Sequence, residues 1–106
     1  MKEISYHKYL DEDEDELLRI RLWINRGKVM DLVIQYESRI KGKWYSIIRY
    51  DCSHGFFHRD TLFPNGRKEK QTIAILTLDD AVNYAEQDVK DRWEFYKDRF
   101  IKNMKP

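Results

Sequence analysis

The densest group of reactive side chains lies at residues 49–60, which read Arg-Tyr-Asp-Cys-Ser-His-Gly-Phe-Phe-His-Arg-Asp. This segment holds two of the three histidines, His54 and His58, together with two arginines and two aspartates. Histidine titrates near neutral pH and can transfer protons, and arginine can bind a phosphate through two parallel hydrogen bonds. Loops that follow a rigid strand often carry function. We therefore treat residues 49–60 as the candidate functional segment.

These residue types fit phosphodiester chemistry that needs no metal ion. Such a reaction requires a base, an acid and cations that stabilise the developing negative charge. We predict that the histidines transfer the protons while a neighbouring aspartate fixes a histidine tautomer, so the catalytic residues are His54, His58 and Asp51. Other side chains offer guanidinium groups for phosphates and rings on which bases can stack. The predicted substrate-binding residues are Arg49, Tyr50, Arg59, Asp60, Trp44 and Tyr45.

Two further interpretations of the same segment stay open. The two histidines with Asp60, and with or without Asp51, offer nitrogen and oxygen ligands that suit Zn²⁺, Mn²⁺ or Fe²⁺. However, the His-x₃-His spacing brings both rings to one side only in a helix, and the intervening Gly-Phe-Phe disfavours a helix. We therefore predict no metal and no other cofactor, and keep a metal-dependent hydrolase as an alternative. In the third interpretation, pairs such as Arg49 and Asp51 only stabilise the loop.

Three segments before this loop have the alternation of apolar and polar residues that is typical of half-buried strands. They are residues 17–25, 28–39 and 43–51. The connections Arg26-Gly27 and Lys41-Gly42 are short and contain glycine, which favours tight turns. The sequence therefore predicts an antiparallel meander, which residues 56–63 and 71–76 would extend by one or two strands.

The C-terminal segment has the pattern of one long helix. Thr77 and Asp80 fit an N-terminal capping box, in which the threonine hydroxyl accepts a backbone N–H. Apolar residues then recur every three or four positions; they are Leu78, Ala81, Val82, Ala85, Val89, Trp93, Tyr96 and Phe100. We predict an α+β fold in which an antiparallel β-sheet of four to five strands packs against one long C-terminal α-helix.

Composition and charge limit the class of protein. A chain of 106 residues with 42% hydrophobic residues is sufficient for one domain, and its single cysteine excludes an internal disulfide. Residues 1–16 carry seven acidic and two basic side chains, whereas residues 17–106 carry 12 acidic and 18 basic ones. We expect an acidic, flexible leader followed by a single α+β domain. The sequence shows no secretory signal and no membrane-spanning run, so we expect a cytoplasmic protein, and its 37% charged residues resemble heat-adapted proteins.

The motif Arg49-Tyr50-Asp51 followed by His54-Gly55 and His58-Arg59-Asp60 resembles that of a family of small uncharacterised prokaryotic proteins. This resemblance covers roughly residues 17–100. A more distant similarity is to the TumE-type toxins of toxin–antitoxin pairs, which share a sheet, an Arg-aromatic-Asp segment, a histidine-bearing loop and a C-terminal helix. The toxin loop ends in His-x-His, whereas this chain has an aspartate at the last position.

The resemblance implies a toxin that acts on RNA or another nucleotide substrate, with an antitoxin protein as its partner. The residues at matching positions are Arg49, Tyr50, Asp51, His54 and His58. Three functions remain open at this point: an RNA-directed toxin-like enzyme, a non-enzymatic RNA- or protein-binding module, and the metal-dependent hydrolase. The edge strands of such a sheet would also be free to form a homodimer.

Overall fold

The structure is a computed structural model and describes residues 1–53 and 55–105. It contains six strands followed by one helix. They are β1 (Lys2–Tyr9), β2 (Glu16–Asn25), β3 (Lys28–Ile40), β4 (Lys43–Asp51), β5 (His58–Leu62), β6 (Lys68–Thr72) and α1 (Leu78–Lys102). Each strand pairs antiparallel with the next in sequence, so the sheet is a meander. The predicted α+β architecture is confirmed, with six strands where four to five were expected.

The hairpins that join β2, β3 and β4 form where the sequence predicts turns. Arg26 and Gly27 have φ angles of 52° and 77°, and Lys41 and Gly42 have φ angles of 52° and 78°. Positive φ at both central residues is the conformation of a type I′ turn, whose twist matches that of the flanking strands. Glycine at the second position adopts this conformation without a steric penalty. The two turns thereby fix the register of the three central strands.

The acidic leader contains a strand that the sequence pattern did not indicate. β1 pairs with β2 from Lys2 opposite Ile24 to Tyr9 opposite Leu17. Seven of its eight residues are exposed, so β1 has no apolar alternation, and its backbone ladder with β2 holds it in place. The acidic run forms the β1–β2 connection, where Oδ1 of Asp11 accepts hydrogen bonds from the backbone N–H groups of Asp15 and Glu16 at the start of β2.

The helix begins and ends as its sequence predicts. Oγ1 of Thr77 accepts a hydrogen bond from the backbone N–H of Asp80 at 3.1 Å, which confirms the predicted N-cap. The buried stripe of α1 consists of Ala81, Val82, Ala85, Val89, Tyr96 and Phe100. Within the described part of the chain, no helix is long and apolar enough to cross a membrane.

The sheet has one covered face and one open face. Alternation along β2 directs Leu18, Ile20 and Leu22 into the core beneath α1, whereas Arg19 and Arg21 project to the opposite side. The helix packs chiefly against β3 and β4, and no other helix or strand of the described chain covers the opposite side. Alternate residues of the central strands therefore lie on the open face, and Arg19, Arg21, Gln35 and Arg49 are polar ones among them.

Candidate functional site on the open face of the sheet

The pairing register aligns polar residues of all six strands in two neighbouring rows on the open face. The first row, from β1 to β6, is His7, Arg19, Gln35, Arg49, Asp60 and Lys70. The second row is Ser5, Arg21, Val33, Asp51, His58 and Thr72. Neighbouring strands lie about 4.8 Å apart, so side chains of one row can contact each other directly. The meander thus assembles a site from residues that are far apart in sequence.

The centre of this site is a buried pair formed by Asp51 and His58. Nε2 of His58 lies 2.7 Å from Oδ1 of Asp51, and the imidazole is only 1% exposed. The other ring nitrogen, Nδ1, lies 3.3 Å from the backbone oxygen of Phe56. A carbonyl oxygen can only accept a hydrogen bond, so Nδ1 carries a proton in this arrangement. The ring is therefore held between a carbonyl oxygen and a carboxylate.

The Asp51 carboxylate is stabilised in its charged form. Burial raises the pKa of Asp51, but the hydrogen bonds from Ser53 and the electrostatic attraction of His58 and Arg49 outweigh it, so the pKa lies below its usual value. Oδ1 accepts from the backbone N–H of Ser53 at 3.2 Å and from its hydroxyl at 3.0 Å. Oδ2 lies 3.2 Å from Nε of Arg49. The carboxylate is consequently an anion with fixed orientation.

A second carboxylate, that of Asp60, lies beside the same imidazole. Its Oδ2 is 3.9 Å from Nε2 of His58, and the residue is only 4% exposed. Its Oδ1 is buried and has no hydrogen-bond partner among the residues that the structure describes. A buried polar atom without a partner costs free energy, because the hydrogen bonds it made to water are lost.

Two adjoining cavities lie on this part of the open face. One of about 440 Å³ is lined by residues that include Gln35, Arg49, Asp51, His58, Asp60, Lys68 and Lys70. The other, of about 410 Å³, is lined by residues that include Ser5, His7, Arg19, Arg21, Gln35 and Arg49. Because Gln35 and Arg49 line both cavities, we treat them as one feature, the open-face groove. The first cavity is its β4–β6 half and the second is its β1–β3 half. Its β1–β3 half contains arginines and no carboxylate among the lining residues.

Strand alternation separates the predicted substrate-binding residues between the two faces. Arg49 and Asp60 lie on the open face, but Tyr50 and Arg59 point towards α1. There the hydroxyl of Tyr50 donates to Oδ2 of Asp88, and Nη1 of Arg59 lies 2.9 Å from the same oxygen. The hydroxyl of Tyr96 also donates to this oxygen, at 2.6 Å. Tyr50 and Arg59 thus join β4 and β5 to the helix.

The two predicted stacking residues also lie on opposite faces. Tyr45 packs against Phe100 of α1, with a ring-centroid distance of 5.4 Å. Trp44 is 42% exposed on the open face, where the guanidinium of Arg39 lies 5.7 Å from its ring centroid. Trp44 is near the β3–β4 turn and does not line either half of the open-face groove. The predicted catalytic residue His54 lies outside the described residues.

Several residues of the groove were absent from the predicted site. Arg19 and Arg21 are visible in the sequence as the polar face of a predicted strand, but nothing local connects them with a loop 30 residues later. His7 and Lys70 lie on edge strands that have no apolar alternation, and β6 is exposed along its whole length. Only the register of the complete sheet brings His7, Arg19 and Lys70 into the row of Arg49 and places Arg21 in the neighbouring row.

Comparisons with known proteins identify a family without an assigned activity. No curated protein and no solved structure matches the chain. The family described as "Domain of unknown function (DUF7718)" matches residues 1–106, and the chain therefore belongs to this family.

Proposed function

We propose that this protein binds RNA in the open-face groove, as a cytoplasmic, toxin-like protein whose activity an antitoxin partner would control. The observation that carries the proposal is the row of guanidinium groups along the groove. The side chains of Arg19, Arg21 and Arg49 are 60%, 56% and 46% exposed. Exposed cations that follow a continuous groove fit the phosphates of a polyanion.

Each of these arginines is oriented by one carboxylate. Nε of Arg19 donates to Glu37 at 2.8 Å, and Nη2 of Arg21 donates to Glu3 at 2.9 Å. A guanidinium has five N–H donors, so one carboxylate leaves other donors for a phosphate. The carboxylates reduce the net charge of the face, but their hydrogen bonds also restrict the orientation of the guanidinium groups. Preorganised donors lose less entropy when they bind a ligand.

The sequence resemblance supports the choice of RNA over other polyanions. Arg49, Asp51 and His58 match positions of the toxin-like motif, and all three line the β4–β6 half of the groove. Their position beside Lys68 and Lys70 would place a phosphate next to the buried histidine. Homodimer formation through the edge strands β1 or β6 is compatible with this proposal, since neither edge covers the groove.

A second candidate function is cleavage of the bound RNA, which the Asp51–His58 pair favours. A histidine beside a carboxylate can act as a general acid or base. Because both ring nitrogens of His58 face protein oxygens, Nε2 would have to exchange Asp51 for the substrate during proton transfer. In this protein the imidazole is almost fully buried, so a substrate would reach it only through the β4–β6 half of the groove. The sequence-based expectation of metal-free chemistry therefore remains a proposal.

The proposal is tested by RNA binding measured as a function of salt. Fluorescence anisotropy with a labelled single-stranded RNA should give an affinity that falls steeply with salt for the wild type. In the Arg19→Ala/Arg21→Ala variant, the plot of log K against log salt concentration should be less steep by about 0.7 for each phosphate contact removed, or by about 1.4 in total. A variant with the same charge change on the other side of the molecule, Lys90→Ala/Arg92→Ala on α1, should retain the wild-type slope.

If the slope decreased equally in both double variants, only the net charge of the protein would matter. That result would contradict the groove as the binding surface. Cleavage is tested separately by incubating total RNA with the wild type and with His58→Ala, with and without EDTA. Binding without cleavage would leave the binding module as the function. Cleavage that His58→Ala abolishes would establish the enzyme.

A further inference from the structure

We infer that Asp51, His58 and Asp60 form a binding site for a divalent transition-metal ion, with Zn²⁺ as the ion that their donor atoms suit best. This inference does not rest on RNA binding, because the metal alone is sufficient to test it. One ligand atom from each of the three residues lies within 4.8 Å of the others. An imidazole nitrogen with two carboxylate oxygens is a donor set that Zn²⁺ accepts.

The distances between the donor atoms are close to those of a tetrahedral site. Zn–N and Zn–O bonds of about 2.0–2.1 Å place ligand atoms roughly 3.3 Å apart around a tetrahedral ion. Nε2 of His58 lies 2.7 Å from Oδ1 of Asp51 and 3.9 Å from Oδ2 of Asp60. The two observed distances bracket the required one, so small side-chain rotations would be enough to admit the ion.

The orientation of the His58 ring prepares Nε2 for a metal. Nδ1 faces the backbone oxygen of Phe56 at 3.3 Å, and a carbonyl oxygen only accepts a hydrogen bond, so Nε2 is the ring nitrogen that a metal ion would bind. Nε2 lies 2.7 Å from Oδ1 of Asp51, so an ion at this position would contact both atoms. Metal-bound histidines usually donate their other ring N–H to a carbonyl or carboxylate in this manner.

The carboxylate of Asp60 is the independent observation that points to a ligand. It is nine-tenths or more buried, it faces His58, and its Oδ1 has no hydrogen-bond partner among the described residues. An ionised carboxylate in this position is costly unless a positive charge compensates it. A metal ion between Asp51 and His58 would also neutralise Asp60, so one ion accounts for the clustered ligand atoms and for the buried carboxylate.

Three protein ligands leave at least one coordination position for water or an anion. The three residues all line the β4–β6 half of the open-face groove, so the free position would face the groove. Arg49, Lys68 and Lys70 line the same cavity and would favour an anionic fourth ligand. An open coordination position is the feature that distinguishes catalytic from structural zinc sites.

The chain provides a matched control for the test. A second acidic cluster, formed by Asp11, Asp13 and Asp15 in the β1–β2 connection, also brings three carboxylates together. Asp60→Asn and Asp13→Asn therefore make the same isosteric change in the two clusters. We propose to remove bound metal from each protein with EDTA, and then to titrate Zn²⁺ by calorimetry and Co²⁺ by visible absorption.

We expect wild type to bind one Zn²⁺ with micromolar or better affinity and to give the intense visible bands of four- or five-coordinate Co²⁺. Asp60→Asn should weaken Zn²⁺ binding at least tenfold and remove these bands while its far-UV circular dichroism stays unchanged, and Asp13→Asn should behave as wild type. The inference is overturned if the wild type binds neither ion, if Asp60→Asn binds as tightly as wild type, or if Asp13→Asn removes binding. If Asp60→Asn does not fold, the wild-type Co²⁺ spectrum decides, because a weak octahedral spectrum contradicts the site.

Discussion

Asp51 and His58 face each other across β4 and β5, and their side chains meet at 2.7 Å although six residues separate them in sequence. The turn between the strands lets the second half of the candidate segment fold back along the first. Asp51 and Asp60 then both lie near Nε2 of the imidazole, on the open face of the sheet. The alternate residues Tyr50 and Arg59 face the helix.

The Asp51–His58 pair should contribute to stability in metal-free buffer. Asp51→Ala removes the carboxylate that faces the buried Nε2 of His58, and the loss of such a buried polar contact costs about 1–3 kcal/mol. A double-mutant cycle with His58→Ala should give a coupling energy of at least about 0.5 kcal/mol, measured by urea unfolding with EDTA present. Arg49→Ala removes only the exposed partner of the same carboxylate and should cost at most about 1 kcal/mol. If the effects of Asp51→Ala and His58→Ala on the free energy of unfolding were additive, the pair would have no net energetic coupling.

Asp88 should be the most sensitive polar residue of the helix–sheet interface. Its Oδ2 accepts hydrogen bonds from Tyr50, Tyr96 and Arg59, and its side chain is 9% exposed. Asp88→Ala leaves the Arg59 guanidinium without its anion and should lower the free energy of unfolding by about 3–5 kcal/mol. Urea denaturation followed by circular dichroism measures this loss.

Asp91 on the same helix provides the control for that prediction. It is exposed and accepts a hydrogen bond only from Gln87 among the described residues, so Asp91→Ala should change stability by about 0.5 kcal/mol or less. If Asp88→Ala were no more destabilising than Asp91→Ala, the three hydrogen bonds would be energetically unimportant.

Much of the fold could be predicted from the sequence because its signals are local. The alternation around Leu18 and Ile20, the glycine turns and the Thr77 cap each act over a few residues, and all appear in the structure where they were expected. β1 and β6 were harder to predict because they are exposed edge strands. Their pairing depends on a backbone ladder, which leaves no apolar pattern in the sequence.

The candidate site could be predicted only in part, because its composition depends on register. The sequence identifies Arg49, Asp51, His58 and Asp60 as one segment, and the structure places all four around one cavity. Strand alternation places Arg59 on the face opposite His58 and Asp60. That His58 and Asp60 share their face with Arg49 and Asp51 depends on how β5 aligns with β4 after the intervening loop. Likewise, the Asp88 side chain that Arg59 contacts is 29 positions away, with no local pattern that links the two.

Stability should decrease at alkaline pH because several tyrosines are harder to ionise in the folded protein. Burial and the nearby Glu86 raise the pKa of Tyr6 from 10.0 to about 12, and burial and Asp88 raise that of Tyr96 to about 12. Burial and hydrogen bonding to carboxylates also raise the pKa of Tyr36 and of Tyr50. Because each folded pKa exceeds the unfolded one, the contribution to stability is complete below pH 10 and is lost as the pH rises towards 12.

Urea midpoints measured from pH 9 upwards should therefore fall progressively above pH 10. Tyr6→Phe removes one of the ionising groups and should make the fall less steep, while its stability at pH 8 changes little because Tyr6 lies at the edge of the sheet. A midpoint that stays constant to pH 11 would contradict the raised tyrosine pKa values. An unchanged slope in Tyr6→Phe would exclude Tyr6 as a contributor.

Cys52 should react slowly with thiol reagents in the native protein. Burial, together with the charges of Asp31 and Asp51, raises the pKa of its thiol from 9.0 to about 11. The thiolate is the reactive form, so a shift of this size lowers its fraction at pH 8 about 100-fold. A more basic thiolate is also more nucleophilic, which restores roughly tenfold of the rate. We therefore expect the native thiol to react with a disulfide reagent about tenfold more slowly than the urea-unfolded chain.

The role of the neighbouring charges in this slow reaction can be separated from that of burial. Asp31→Asn removes one of the two carboxylates that raise the pKa of Cys52 and should increase the native rate, whereas Asp13→Asn in the β1–β2 connection should not. The unfolded rates of all three proteins should agree, because neither Asp31 nor Asp13 lies near Cys52 in the unfolded chain. A native rate equal to the unfolded rate would mean that neither burial nor charge protects Cys52. A slow native rate that Asp31→Asn leaves unchanged would assign the protection to burial alone.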